Sequence, residues 1–191
     1  MPESASADAA DTGGASDDYG GLFGAFPYAF RHSDSRLFRL YVVVGGLLAA
    51  VLSLAFTIAF VLAISQSVGL ATGGLSSFVR AFVVFVGFLV VTPLVAPVLF
   101  VARHHRRVDN DRAYDRALAV AGFAFALSLY LAVVASMPPE FVLDGETVAR
   151  PAPSGLFAPV VAVLYAIPPV AAPLVPTVVA VAGYLVHRAM R

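Results

Sequence analysis

Residues 40–64 read LYVVVGGLLAAVLSLAFTIAFVLAI, 25 consecutive positions without a charged side chain. An α-helix rises about 1.5 Å per residue, so this stretch makes about 37 Å of helix, enough to cross a hydrocarbon core of about 30 Å with some tilt. Its apolar residues follow one another without alternation, which does not suit a strand of a transmembrane barrel, apolar outside and polar inside. Three further stretches read the same way. They are Ala81–Ala102, Ala117–Met137 and Leu156–Val186, of 22, 21 and 31 residues. The expected fold is therefore all-α, an integral membrane protein with four transmembrane helices.

Composition supports that frame. A chain of 191 residues that is 60% hydrophobic and 13% charged, with mean hydropathy +0.87, lacks the polar residues to cover a soluble domain. There is no cysteine and no lysine, so disulfides, thiolate nucleophiles and cysteine-ligated zinc are excluded.

The arginines orient the helices. Arg31, Arg36 and Arg39 precede the first span; Arg103, Arg106, Arg107, Arg112 and Arg116 lie between the second and third; Arg188 and Arg191 follow the fourth. Only Arg80 and Arg150 remain for the other side. Arginine near span ends stays on the cytoplasmic face. A cell-membrane protein with both termini cytoplasmic is expected, with 65–79 and 138–155 facing outward. A 39-residue stretch precedes the first span, which is also longer than a signal-peptide core, so cleavage there is not expected.

Residues 1–18 carry Glu3, Asp8, Asp11, Asp17 and Asp18 and too little apolar matter to fold, so they read as a disordered acidic tail. Residues 19–33 follow with Tyr19, Phe23, Phe26, Tyr28 and Phe30, an interfacial aromatic segment suited to the headgroup level. Pro27 limits any helix there to a turn or two on either side. Ser33 or Asp34 is placed to cap the first spanning helix. Residues 34–191 then form the four-helix transmembrane domain, with spans at about 40–64, 81–102, 117–137 and 169–187.

The fourth stretch is too long for one crossing, at about 46 Å of helix, and carries Pro159, Pro168, Pro169, Pro173 and Pro176. A proline pair removes two N–H donors and disfavours helix at Ile167. The expected solution is an interfacial or re-entrant helix over 154–166, a break, and a span over 169–187. Pro93 and Pro97 likewise kink the second span, with the Thr92 hydroxyl able to take a freed carbonyl.

Small residues recur every four positions at Gly45, Ala49, Ser53 and Thr57, and again at Ala124, Ser128, Ala132 and Ser136. Such stripes let helix backbones approach closely and read as packing faces, within one chain or between two. At the membrane surface, Arg36, Arg39, Arg103, Arg106, Arg107 and Arg188 read as topogenic or as contacts for lipid headgroups.

The sequence points to no chemistry. The polar side chains inside the membrane are few and none is charged, whereas proton relays, ion-coupled transport and hydrolysis in membranes usually need ionisable groups. Glycine-rich phosphate loops and nucleophile–base motifs are absent too. His104, His105, Asp109 and Asp111 contain metal-ligand types, but adjacent histidines cannot share a helix face and no ligand spacing emerges. His32 and His187 have no evident partner. No catalytic residue, cofactor, metal or nucleic-acid partner is expected; the bilayer is, with a second copy or another membrane protein as the candidate partner.

The block Gly20–Leu48, containing GLFGAFPYAFR, SDSRLFR and YVVVGGLL, resembles the opening of small haloarchaeal multi-pass membrane proteins of uncharacterised function. The lysine-free composition, rich in alanine and valine, fits that resemblance. It implies a membrane fold and transfers no functional residue. The expectation is a non-catalytic membrane protein acting through helix-mediated association. A small permease or channel component for an uncharged solute, lined by the proline-kinked second and fourth spans, is the alternative.

Overall fold

The computed structural model describes residues 21–67, 73–107 and 111–191. The acidic tail 1–18, Tyr19, Asp109 and Asn110 lie outside the described residues. Six α-helices and one hairpin follow in order: α1 (Gly21–His32), α2 (Arg36–Ser67), α3 (Gly73–His105), α4 (Arg112–Ala135), β1 (Glu140–Leu143), β2 (Glu146–Ala149), α5 (Ala158–Ala166) and α6 (Leu174–Ala189). A 3₁₀ turn, Pro169–Ala171, precedes α6. Among the described residues, four helices are long and apolar enough to cross a membrane: Arg36–Ser65, Phe78–His105, Arg112–Ala135 and Pro169–Ala189.

Helix α1 runs through Pro27 without interruption and extends one to two turns on either side of it, within the limit expected. The ring removes one backbone N–H, and packing offsets that loss. Ala25 and Ala29 are fully buried in a cluster with Phe38, Tyr41, Val98 and Val101, so α1 lies against α2 and α3. Phe26 packs over Gly46 of α2, where a Cβ would come within 3.0 Å of its ring. The cap of α2 is Ser35, whose Oγ accepts from Phe38 N at 3.3 Å; neither Ser33 nor Asp34 fills that role. Asp111 caps α4, its carboxylate accepting from the N–H groups of Ala113 and Tyr114.

The bundle is loosely closed. Helices α2, α3 and α4 pack on one another and α6 packs on α4, while the backbones of α3 and α6 hardly approach each other. In α2 and in the segment leading through α6 only 6% of the apolar window is buried, against 28% in α3 and α4. The first two therefore form the periphery. Apolar attraction between helices vanishes where the surroundings are equally apolar, so close fit has to hold such a bundle together. The fit is aromatic ring on glycine: Tyr41 against Gly122, Phe56 against Gly87 and Phe26 against Gly46.

At the end of the bundle opposite the arginine-rich loops, β1 and β2 pair antiparallel, with Leu143 opposite Glu146. The two turn residues, Asp144 and Gly145, have φ of 52° and 87°, the left-handed pair that a tight two-residue hairpin requires. Arg150 ties the hairpin down. Its guanidinium donates to the carbonyls of Met137 and Tyr165, each at 3.1 Å, and lies 4.0 Å from the centre of the Tyr165 ring.

Candidate functional site

Among the described residues, hydrogen bonds between His, Asp, Ser and Tyr side chains of different elements gather at the arginine-rich end. Adjacent positions on a helix point about 100° apart, so His104 and His105 part company and serve two different groups.

His105 turns inward. Its Nε2 donates to Asp115 Oδ1 at 3.0 Å, and the other carboxylate oxygen accepts a short hydrogen bond from the Ser33 hydroxyl. Ser33 Oγ also accepts from Ser35 N at 3.2 Å. Arg39 adds a bond from Nε to the Ser33 carbonyl at 2.8 Å. Ser33 and Asp115 are both 0% exposed. The group joins the α1–α2 corner to the last turn of α3 and the first turn of α4. A buried carboxylate is tolerated only when paired and hydrogen-bonded, and here both oxygens are occupied.

Serine, aspartate and histidine together invite comparison with a nucleophile–base triad, but their order is wrong. The carboxylate stands between the other two, so the imidazole does not reach the serine hydroxyl, and the serine is sealed from any substrate. The arrangement is a clamp. His105 Nδ1 is buried without a hydrogen-bond partner. Among the described residues no group of three or more His, Asp or Glu side chains converges as a metal would require.

His104 turns the other way and stacks on Tyr114, with ring centres 4.2 Å apart. The Tyr114 hydroxyl shares a hydrogen bond of 2.6 Å with His187 Nδ1, and the His187 ring lies parallel to Phe100 at 3.9 Å. The histidine that the sequence left without a partner is thus held from two sides. The rings of Phe100, His104 and His187 border a cleft between α3 and α6 of about 420 Å³. Its cations are Arg103 and Arg107 from α3 and its following turn, with Arg188 and Arg191 from the end of the chain. A deeper apolar cavity of about 180 Å³ adjoins it, and Phe100 and Tyr184 line both.

The remaining sequence-derived residues scatter. Arg103, Arg107 and Arg188 share the cleft; Arg36, Arg39 and Arg106 do not line it. In the first stripe Gly45 and Ala49 are buried, while Ser53 and Thr57 are exposed on a shallow groove shared with α3. In the second, Ser128 is buried, Ala132 half-buried, and Ala124 and Ser136 exposed. The Thr57, Ser128 and Ser136 hydroxyls each bond a carbonyl of their own helix, at 2.7, 2.6 and 2.8 Å. Thr92 makes no such bond; Tyr41 takes the carbonyl in the proline-bearing part of α3, donating to Leu94 O at 2.5 Å. Sequence reasoning missed Tyr41, Tyr114, Asp115 and Gly122. The tyrosines and the aspartate carried a signal, being polar residues near or inside apolar stretches, but their partners are remote in sequence.

Four long apolar helices, three of them joined at one end by a buried polar clamp, fit a helical protein of the multi-pass membrane class. The chain belongs to the family described as a domain of unknown function (DUF8056), which matches residues 10–191. No curated protein and no solved structure matches the chain.

Proposed function

We propose that this chain is a multi-pass cell-membrane protein that acts without catalysis, through association of its helices with a second copy or with a membrane partner. The four apolar helices and the arginine partition support a topology with both termini cytoplasmic and the hairpin outside. In this reading the prolines around Pro168 and Pro169 part an outer-face α5 from the final crossing. Nine residues, about 13 Å of helix, are too few for α5 to cross. The resemblance of Gly20–Leu48 and the lysine-free composition support a haloarchaeal source.

The observation that carries the association reading is an open groove of about 480 Å³ along α4 and α6, where Ala117, Ala121 and Ala124 face Ala182 and Gly183. Small side chains on both walls let a further helix approach to backbone distance, the geometry that favours association in membranes. Measuring the protein's mass in mild detergent tests this. The wild-type chain should run as a complex that Ala124→Leu reduces to the monomer without unfolding it. A wild-type monomer would remove the reading.

One observation favours the permease alternative. The 180 Å³ cavity lies between Pro93 and Pro97 of α3 and Val179 and Gly183 of α6, with Thr92 and Tyr184 its only hydroxyl side chains. Flux of a neutral solute such as glycerol into proteoliposomes, lost in Ala180→Phe, would promote it.

A further inference from the structure

We propose that the cleft between α3 and α6 is a binding site for an anionic phospholipid, with the phosphate among Arg103, Arg107, Arg188 and Arg191 and one hydrocarbon chain in the adjoining cavity. The proposal rests on the reading that these helices cross a membrane, and it stands whether or not the chain associates.

Charge is the first argument. No carboxylate lines the cleft beside those four guanidinium groups. Helices α3 and α6 both end here, and cations near helix C-termini are favourable. Each C-terminus, however, contributes only about −0.5 of an elementary charge, so the four guanidinium groups leave the cleft positive. Guanidinium groups bind phosphate oxygens through paired hydrogen bonds, which makes a phosphate ester the fitting anion.

Shape is the second. The cationic cleft does not end in a polar floor. Phe100 and Tyr184 are shared with a neighbouring cavity walled by Pro93, Pro97, Leu118, Phe125 and Val179, which hold no charge. A free phosphate or a soluble phosphorylated metabolite leaves that cavity empty. A phospholipid fills both parts, its polar and apolar ends matched to the two halves. The cavity exists because α3 and α6 each pack on α4 while their backbones stay apart, and because Ala96, Ala180 and Gly183 leave space where larger side chains would close it.

The site is also preformed. The Phe100–His187 stack and the bond from Tyr114 to His187 fix one wall, which lowers the ordering cost of binding.

The experiment uses the full-length protein purified in mild detergent, with thermal unfolding followed as dioleoyl phosphatidylglycerol, dioleoyl phosphatidylcholine or glycerol 3-phosphate is added. Phosphatidylglycerol should raise the melting temperature by several degrees, with little effect from phosphatidylcholine or glycerol 3-phosphate at equal concentration. The pair Arg103→Gln and Arg188→Gln should weaken the phosphatidylglycerol response about tenfold, whereas Arg36→Gln, outside the cleft, should keep it. Thr92→Phe, which narrows the apolar cavity, should weaken the same response. Native mass spectrometry of each variant reports retained lipid independently of stability, so a variant that melts low still gives an answer. Equal stabilisation by phosphatidylcholine, or an undiminished response in the double arginine variant, overturns the proposal. Equal stabilisation by glycerol 3-phosphate, or full retention of lipid in Thr92→Phe, makes this a site for the phosphate alone and overturns the lipid assignment.

Discussion

The Tyr41 hydroxyl donates to the Leu94 carbonyl at 2.5 Å, joining α2 to α3 three residues before Pro97. A proline inside a helix removes one ladder bond, and its ring presses on the preceding turn. The carbonyl that Tyr41 takes belongs to that turn. The tyrosine ring in turn fills the space above Gly122 of α4 and meets Phe123 edge-on, with centres 5.2 Å apart. One side chain thereby ties three helices, and its hydroxyl is satisfied at a depth where water is not available to do so.

Gly122→Ala should therefore be more damaging than Tyr41→Phe. A Cβ at position 122 would overlap the Tyr41 ring, which is fully buried and held at its hydroxyl, so the neighbour cannot swing aside. Overpacking of this kind costs about 1–3 kcal/mol, whereas loss of one interhelical hydrogen bond in a membrane costs about 0.6 kcal/mol on average. Unfolding titrated with a denaturing detergent measures both. Tyr41→Phe proving the worse variant would remove the ring-on-glycine contact from the account.

The clamp at Asp115 should behave as one unit. Asp115→Ala leaves His105 and Ser33 without their shared acceptor and should cost about 3–5 kcal/mol, as breaking a buried pair does. Ser33→Ala alone loses a bond to a charged group, about 1.5–3 kcal/mol. Residues in one network couple, so Ser33→Ala should add little once Asp115 is gone. A double-mutant cycle tests this, and full additivity would show that the two residues act separately.

The two halves of the first small-residue stripe should part in their response. Ala49 is buried against Leu94 and Val95, while Ser53 is exposed. Ala49→Leu should destabilise the isolated chain by about 1–3 kcal/mol through overpacking. Ser53→Leu should stay within about 0.5 kcal/mol, as surface changes do. Equal losses in detergent would place Ser53 against another chain.

Topology can be read directly because the chain has no cysteine. Under the proposed orientation, Ser154→Cys should react with a membrane-impermeant maleimide in intact cells, and Ser4→Cys only after permeabilisation. Reaction of Ser4→Cys in intact cells would reverse the assignment.

The four long helices were legible because a run of 20 or more uncharged apolar residues needs no partner to be read. Length and hydropathy suffice. The hairpin is not read from the sequence: 138–155 reads as an outward loop, although Asp144 and Gly145, a turn pair between short apolar runs, carry the signal. The stripes were a weaker guide. Four-residue spacing marks a helix face, yet it does not say which face meets another helix, so Gly45 and Ala49 lie inside while Ser53 and Thr57 lie outside. The arginines were read as topogenic and headgroup contacts, and four of the ten on one side then proved to share a cleft.

By itself, then, the sequence determined the helical class, the number of long apolar helices and the grouping of arginine near their ends, because local composition and periodicity settle each. Tertiary structure alone decided that Ser33 reaches Asp115 across 82 positions, that Tyr41 finds both Leu94 and Gly122, and that α3 and α6 stand apart over α4. Those outcomes depend on which faces of the helices meet and at what height. In an apolar surrounding, that choice is made by the fit of side chains to one another and by the partners that buried polar groups require, neither of which is written in any single stretch of chain.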